Sequence, residues 1–261
     1  MGKKDMYYNK AKQQGYRARS AYKLQQLDET TGLLGEGNTV VDLGAAPGGW
    51  LQVAAERVGP TGTVVGVDRQ NISDLDDPEA IVEYIRGDIT EARTIELIRE
   101  TLGVEDDETP VDVVVSDMAP NMSGEYDLDH ARSVHLARQA FELATDVLGA
   151  GGDLAVKVFD GRDLTTLEDD IDEEFEYVRQ VRPDASRDAS SELYLVAKNR
   201  LTGPVRPGDE LTVEIEGVGD EGDGIAKVDG FTVFVSDASE GETVDIVVDE
   251  VKPRFAFAEL T

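Results

Sequence analysis

The stretch Thr39-Val-Val-Asp-Leu-Gly-Ala-Ala-Pro-Gly-Gly-Trp50 admits few architectures. A β-branched apolar run reaches an acid, Asp42, and breaks into a glycine-rich turn; residues 50–57 then carry a helical pattern. Strand, glycine turn and helix in that order open an α/β domain that binds ligands at the carboxyl ends of its strands. The glycines are expected to let a ligand approach backbone that a Cβ would shield. The next apolar run, Thr63-Val-Val-Gly-Val-Asp68, also ends in an acid, where a carboxylate can take ribose hydroxyls. The spelling departs from the dinucleotide fingerprint, because Pro47 stiffens the turn where a pyrophosphate cradle needs free N–H groups. An adenosyl ligand without phosphates, such as S-adenosylmethionine, therefore fits better than a nicotinamide dinucleotide.

Apolar patterning predicts strands at 39–43, 63–68, 82–88, 111–117, 154–159, 177–181 and 191–198. Helices are expected at 17–27, 50–57, 90–102, 127–148 and 164–175, the fourth stopped by Gly149, Gly151 and Gly152. Residues 32–38, 71–80 and 105–110 read as loops. Alternating strands and helices give an α/β, Rossmann-like doubly wound sheet. Its last strand is expected to run antiparallel, which brings Glu192 to the ligand edge. Composition changes after Asn199. Residues 200–208 read as a linker, and strands at 211–216, 224–230, 231–235 and 244–248 alternate with glycine turns. A small closed all-β barrel protects so many edges. The chain thus divides into a domain of residues 1–199 and a barrel of 203–261. Phe231, Phe234, Phe255 and Phe257 are either barrel core or stacking platforms, and core is expected for most.

The chain has no cysteine, which excludes disulfides, thiolate metal sites and any thiolate nucleophile. A net charge of −30 on a chain with intact apolar periodicity implies a folded protein with an acid-covered surface, as halophiles use in concentrated salt. Residues 1–27 depart from that balance: Lys3, Lys4, Lys10, Lys12, Arg17, Arg19 and Lys23 face the single acid Asp5, with Tyr7, Tyr8, Tyr16 and Tyr22 interleaved. That pattern suits a nucleic-acid contact. In molar salt the screening length is about 3 Å, so stacking, hydrogen bonds and shape must carry more of such binding than charge. No run is long enough for a membrane span and no leader pattern opens the chain, so a cytoplasmic protein is expected.

Lys157 lies inside the apolar run Leu154-Ala-Val-Lys-Val-Phe159, near the carboxyl end of its strand. A lysine there is either one half of a structural ion pair or a base with a lowered pKa. Asp117 ends another strand, Glu192 heads the last one, and Lys23 lies in the basic segment. Asp88 either contacts a ligand or caps a helix at Thr90–Arg93. His130 and His135 stand five apart on a helix and share no face, so no metal site is expected.

Five separated segments resemble, in order and spacing, the motifs of the FtsJ/RlmE family of ribosomal RNA 2′-O-ribose methyltransferases of the large subunit. They are Ser20-Ala-Tyr-Lys-Leu24, Val41–Trp50, Ser116–Gly124, Gly151–Phe159 and Ser191–Ala197. The resemblance implies a catalytic tetrad of Lys23, Asp117, Lys157 and Glu192, and S-adenosylmethionine contacts at Gly48, Trp50, Asp68, Asp88 and Asp117. It implies methylation of a uridine 2′-oxygen in 23S rRNA, on the rRNA or the large subunit, by a protein read as a monomer without DNA or membrane partners. A transfer RNA or another RNA as substrate, or a non-catalytic RNA-binding assembly factor, are the alternatives. Where the family usually has an amide or another polar residue, this chain has Asp160. Residues 217–235, Gly241-Glu-Thr-Val244 and 251–258 resemble the TRAM domain, a small OB-like barrel of RNA-modifying enzymes. A ribose hydroxyl is a poor nucleophile at neutral pH, so the chemistry needs placement and removal of one proton. Lys157 is expected to take or steer that proton. Asp117 would orient Lys157 and the methionine end of the cofactor, while Lys23 and Glu192 would hold the ribose and tune the base.

Overall fold

The structure is a computed structural model that describes residues 3–103, 111–187, 190–219 and 222–261. The loop expected at 105–110 lies outside these residues. The first domain is built on seven strands: β1 (Thr39–Leu43), β2 (Thr63–Asp68), β3 (Ile81–Arg86), β4 (Val111–Ser116), β5 (Leu148–Phe159), β6 (Phe175–Val181) and β7 (Glu192–Arg200). They form one sheet in the order β3-β2-β1-β4-β5-β7-β6. The first five are parallel, and β7 runs antiparallel to both β5 and β6. Helices cover both faces, which is why the central strands are almost wholly Val, Leu and Ala.

On one face α2 (Ala21–Thr31) and α3 (Gly49–Val58) bury Leu24, Leu27, Trp50 and Leu51 against Val40, Val64 and Val196. On the other, α4 (Ala92–Leu102), α5 (Tyr126–Val147) and α6 (Leu164–Asp172) bury Ile98, Leu143 and Leu167 against Val41, Val114 and Val156. The first helix, α1 (Lys3–Gln14), seats Ala11 beside Tyr22 of α2 and Ala185.

Three of the boundaries that differ from the sequence pattern have a packing reason. The helix expected from Arg17 begins at Ala21, because the backbone of residues 15–20 is spent on α3: Gln52 bonds the N–H of Arg17 and the carbonyl of Gly15, and Trp50 Nε1 donates to Ser20 O. The glycines after α5 belong to β5 itself, whose pairing with β4 shifts register between Val111 and Val113. The helix starting at Leu164 ends at Asp172, and Phe175 opens β6 with its ring in the core.

The C-terminal sheet has the order β8-β12-β13-β11-β10-β9, with β8 (Glu210–Glu214), β9 (Gly217–Val218), β10 (Gly224–Val228), β11 (Phe231–Val235), β12 (Thr243–Val251) and β13 (Phe255–Leu260). Its two outer strands, β8 and β9, follow one another in the chain, so the sheet must curl shut to connect them. The unanticipated β13 lies parallel to β11 and antiparallel to β12. Strand alternation turns Val233, Val235, Ala256 and Ala258 inward. Phe231 shares the inward parity and packs over Gly203, as core. Phe234, Phe255 and Phe257 have the opposite parity. The core expectation fails for these three, which form an outward cluster with ring centroids 5.3–5.8 Å apart. The linker is not free either, since Leu201 and Val205 are buried in the barrel core. Lys252 of the barrel side pairs with Glu176 of β6 at 2.6 Å.

Gly66 of β2 has no room for a side chain, because a Cβ there would meet the methyl groups of Leu51 at 2.8 and 2.9 Å. Gly66→Ala should overpack the β2–α3 contact and lower stability by about 1–3 kcal/mol, read as a fall in the urea midpoint with an unchanged slope.

Candidate active site

Register brings the predicted catalytic residues together. Lys157 lies opposite Tyr194 and Phe159 opposite Glu192 in the β5–β7 pair, so Lys157, Tyr194 and Glu192 share the face covered by α2. That helix supplies Lys23, and Asp117 follows the end of β4. One oxygen of Asp117, Oδ1, takes three donors: Lys157 Nζ at 2.8 Å, Tyr194 OH at 2.5 Å and Lys23 Nζ at 3.4 Å. Lys157 also donates to the Asp117 carbonyl, and Lys23 pairs with Glu192 Oε1 at 2.7 Å. Both lysines are only 7% exposed.

Burial pushes the Lys157 ammonium below the usual lysine range and Lys23 adds to the effect, against the opposing pull of Asp117 and Glu192. Burial alone would raise Asp117, yet Lys157 and Lys23 hold its carboxyl below the ordinary range. Tyr194 is driven well above a normal phenol by burial, then by Asp117 and Glu192, and so stays protonated as a donor. Tyr194 was not singled out from the sequence. The signal was available, for it stands two residues after Glu192 on a strand and therefore on the same face.

Asp117 also lines a second feature, an open cavity of about 1020 Å³ whose walls include Gly44, Ala46, Asp68, Asp88 and Met118. Asp68 is fixed by the N–H groups of Ala46 at 3.0 Å and Gln70 at 2.7 Å. Asp88 takes the N–H and the hydroxyl of Thr90, which hold its carboxyl low, and α4 starts later, at Ala92. Three carboxylates from separate strand ends suit a ligand offering hydroxyls, an amine and positive charge. These acceptors fit S-adenosylmethionine.

Two expected contacts stand elsewhere. Gly48 and Trp50 do not line this cavity. The Trp50 indole packs 5.8 Å from the Tyr194 ring and so supports the tetrad from behind. Gly48 has φ +106°, and the space beside it and Gly49 is taken by Arg17 and Ala18. The close approach that these two glycines permit on that side is by the N-terminal segment. Gly44 instead backs onto Met118.

The family model described as FtsJ-like methyltransferase matches residues 16–200 of this chain. The chain belongs to that family. A TRAM domain model matches residues 204–261. The chain is 72% identical over 260 residues to the ribosomal RNA large subunit methyltransferase E of Haloarcula marismortui, covering 99% of each chain. It is 49% identical to the protein of that name from Methanothrix thermoacetophila, across 98% of this chain and 96% of the other. A crystal structure described as a ribosomal RNA methyltransferase from Plasmodium falciparum matches with TM-score 0.61 and 27% identity, covering 71% of this chain and 98% of that one. The acid-covered surface agrees with relatives from halophilic archaea.

Around the family's site, the basic N-terminal segment is more structural than its composition suggests. Tyr7 and Tyr16 pack on Tyr22 with centroids 5.4 and 5.7 Å apart, Lys10 caps the Tyr22 ring, and Arg19 donates to Ala185 O. Of the four tyrosines, Tyr8 stays largely exposed, at 62%. Asp160 pairs with Arg182 at 2.7 Å, and Arg182 also reaches Glu192 O. His130 is committed to structure: its Nδ1 meets Phe159 O at 3.0 Å and its Nε2 accepts the Asp163 N–H. No group of acids and histidines among the described residues is arranged to hold a metal.

Asp42 is the least comfortable residue in the site. It is 1% exposed, and its Oδ2 meets no donor among the described residues. Burial, then Asp117 and Asp68, raise its pKa well above 3.8. A folded-state pKa above the unfolded one gives stability that is full below the unfolded value and lost as pH rises toward the folded one. Asp42→Asn should therefore match wild-type stability near pH 4 and exceed it at pH 7–8, with the gap widening between, in urea titrations of the ligand-free protein across pH.

Proposed function

We propose that this protein transfers a methyl group from S-adenosylmethionine to the 2′-oxygen of a uridine in 23S ribosomal RNA. The observation that carries the reading is the meeting of Lys157, Asp117, Lys23, Glu192 and Tyr194 at one edge of a carboxylate-lined cavity, with Asp117 common to both. Family membership supports methyl transfer, and the names of the relatives support large-subunit rRNA as the substrate.

Bound in the cavity, S-adenosylmethionine supplies a methyl group already activated on a sulfonium. Asp68 would take the ribose hydroxyls of the cofactor, Asp88 its adenine amino group and Asp117 its methionine end. The residues of the tetrad then have one task, to prepare the substrate hydroxyl. Lys157, lowered by burial and by Lys23, takes the 2′-hydroxyl proton on Nζ once it is neutral. Asp117 fixes the direction of that amine, and the Tyr194 hydroxyl keeps Asp117 from turning away. Lys23 and Glu192, paired with each other, flank the base and hold the ribose.

RNA reaches this edge over α1, α2 and the segment bearing Arg182. The outward phenyl groups of Phe234, Phe255 and Phe257 offer a second contact, by base stacking, which survives the salt that screens charge. No helix among the described residues is long and apolar enough to cross a membrane, which suits action on ribosomes in the cytoplasm.

Mapping ribose methylation on rRNA from a strain lacking the protein should reveal one lost 2′-O-methyl uridine; an unchanged rRNA map with a lost mark on transfer RNA would redirect the substrate. Lys157→Ala should lose about 10²–10⁴-fold in turnover while binding S-adenosylhomocysteine normally. A protonated amine accepts nothing, so the wild-type rate should climb with pH and level off below the ordinary lysine pKa of 10.5. A flat profile, or an active Lys157→Ala protein, would remove Lys157 from this role.

A further inference from the structure

The role of Arg17 follows from what its side chain holds. Composition places it with the RNA-facing cations, but its guanidinium is engaged by main-chain carbonyls. Nη1 donates to Ser73 O and, at 3.4 Å, to Pro47 O, while Nη2 donates to Asp74 O. Pro47 belongs to the glycine turn after β1, and Ser73 and Asp74 to the loop after β2. These loops form one wall of the cavity through Ala46 and through Asp68, Arg69 and Gln70. On the cavity side they are joined by the Ala46 N–H bond to Asp68. On the outer side they are joined by Arg17.

Its seat is built for it. A Cβ on Gly48 would lie 2.9 Å from Arg17 Nη1, and one on Gly49 would lie 3.0 Å from the Ala18 methyl. The Arg17 backbone is pinned in turn by Gln52 Oε1 at 2.8 Å. A planar fork can serve three carbonyls at once, whereas a lysine's single nitrogen cannot reach across the same arc. Because the acceptors are neutral peptide groups, the arrangement is also insensitive to the salt that screens ion pairs.

The geometry points to Arg17 as a positioning residue of the cofactor pocket, one that makes the substrate-side segment and the cofactor wall a single mechanical unit. It rests on the reading of the cavity as an S-adenosylmethionine site. Coupling of this kind is reciprocal: if RNA held at residues 15–23 strengthens cofactor binding, a filled pocket strengthens RNA binding by the same factor.

The test is calorimetric titration of S-adenosylhomocysteine into wild type, Arg17→Lys and Arg17→Met, paired with filter binding of an in vitro 23S rRNA transcript with and without that ligand. Both variants should bind S-adenosylhomocysteine about tenfold or more weakly than wild type. Their rRNA affinity without ligand should be unchanged, and the ligand-induced tightening of rRNA expected of wild type should be absent. Urea midpoints near wild type would show that the variants remain folded, with Arg17→Lys as the milder change should Arg17→Met unfold. Variants that bind S-adenosylhomocysteine like wild type would overturn the assignment, and variants that lose rRNA affinity without it would replace it with a phosphate contact. Wild-type protein that fails to bind S-adenosylhomocysteine would instead overturn the reading of the cavity itself.

Discussion

A buried ammonium cannot stand alone, and the first domain is arranged around that requirement at Lys157. Its partner, Asp117, comes from the end of a neighbouring strand, and the same carboxyl oxygen is claimed by Tyr194 and approached by Lys23. Removing any partner would leave an uncompensated charge among largely buried side chains, where such losses are large. The antiparallel insertion of β7 between β5 and β6 makes the arrangement possible. Only a strand running against β5 presents Glu192 and Tyr194 at the level of Lys157 and Phe159.

The two halves of the site have different electrostatic characters. Beside the sheet, two lysines and two acids balance formally, so small displacements of a proton are cheap within the coupled group. In the cavity, Asp68 and Asp88 share the lining with Arg69 and Arg132, and the nearby Asp42 is held towards its neutral form by burial and then by Asp117 and Asp68. The boundary between the two characters is Asp117.

Much of this was legible in the residues. The strand-end acids, the lysine inside an apolar strand and the change of texture after Asn199 each leave a local mark. The doubly wound sheet follows from those marks, and the grouping of Lys23, Asp117, Lys157 and Glu192 was implied by the family resemblance of the motifs. What the sequence left hidden depends on parity and on packing from a distance. Phe234, Phe255 and Phe257 resemble core until the inward set Val233, Val235, Ala256 and Ala258 is fixed, after which they have nowhere to go but out. Tyr7, Tyr16 and Tyr22 look like stackers for bases and are partners for each other. Gly48 and Gly49 suggest room for a ligand, but the room beside them is occupied by Arg17 and Ala18, far earlier in the chain.

The order of strands within the two sheets also bears on synthesis. In the first sheet, β6 has β7 as its neighbour, so a nascent chain that has exposed residue 181 still carries an unpaired strand until residues 192–200 emerge. In the second, β13 is an interior stave of the barrel, seated between β12 and β11. The catalytic sheet can therefore mature while the barrel is still being translated, whereas the barrel stays open along its seam until residues 255–260 have cleared the exit tunnel.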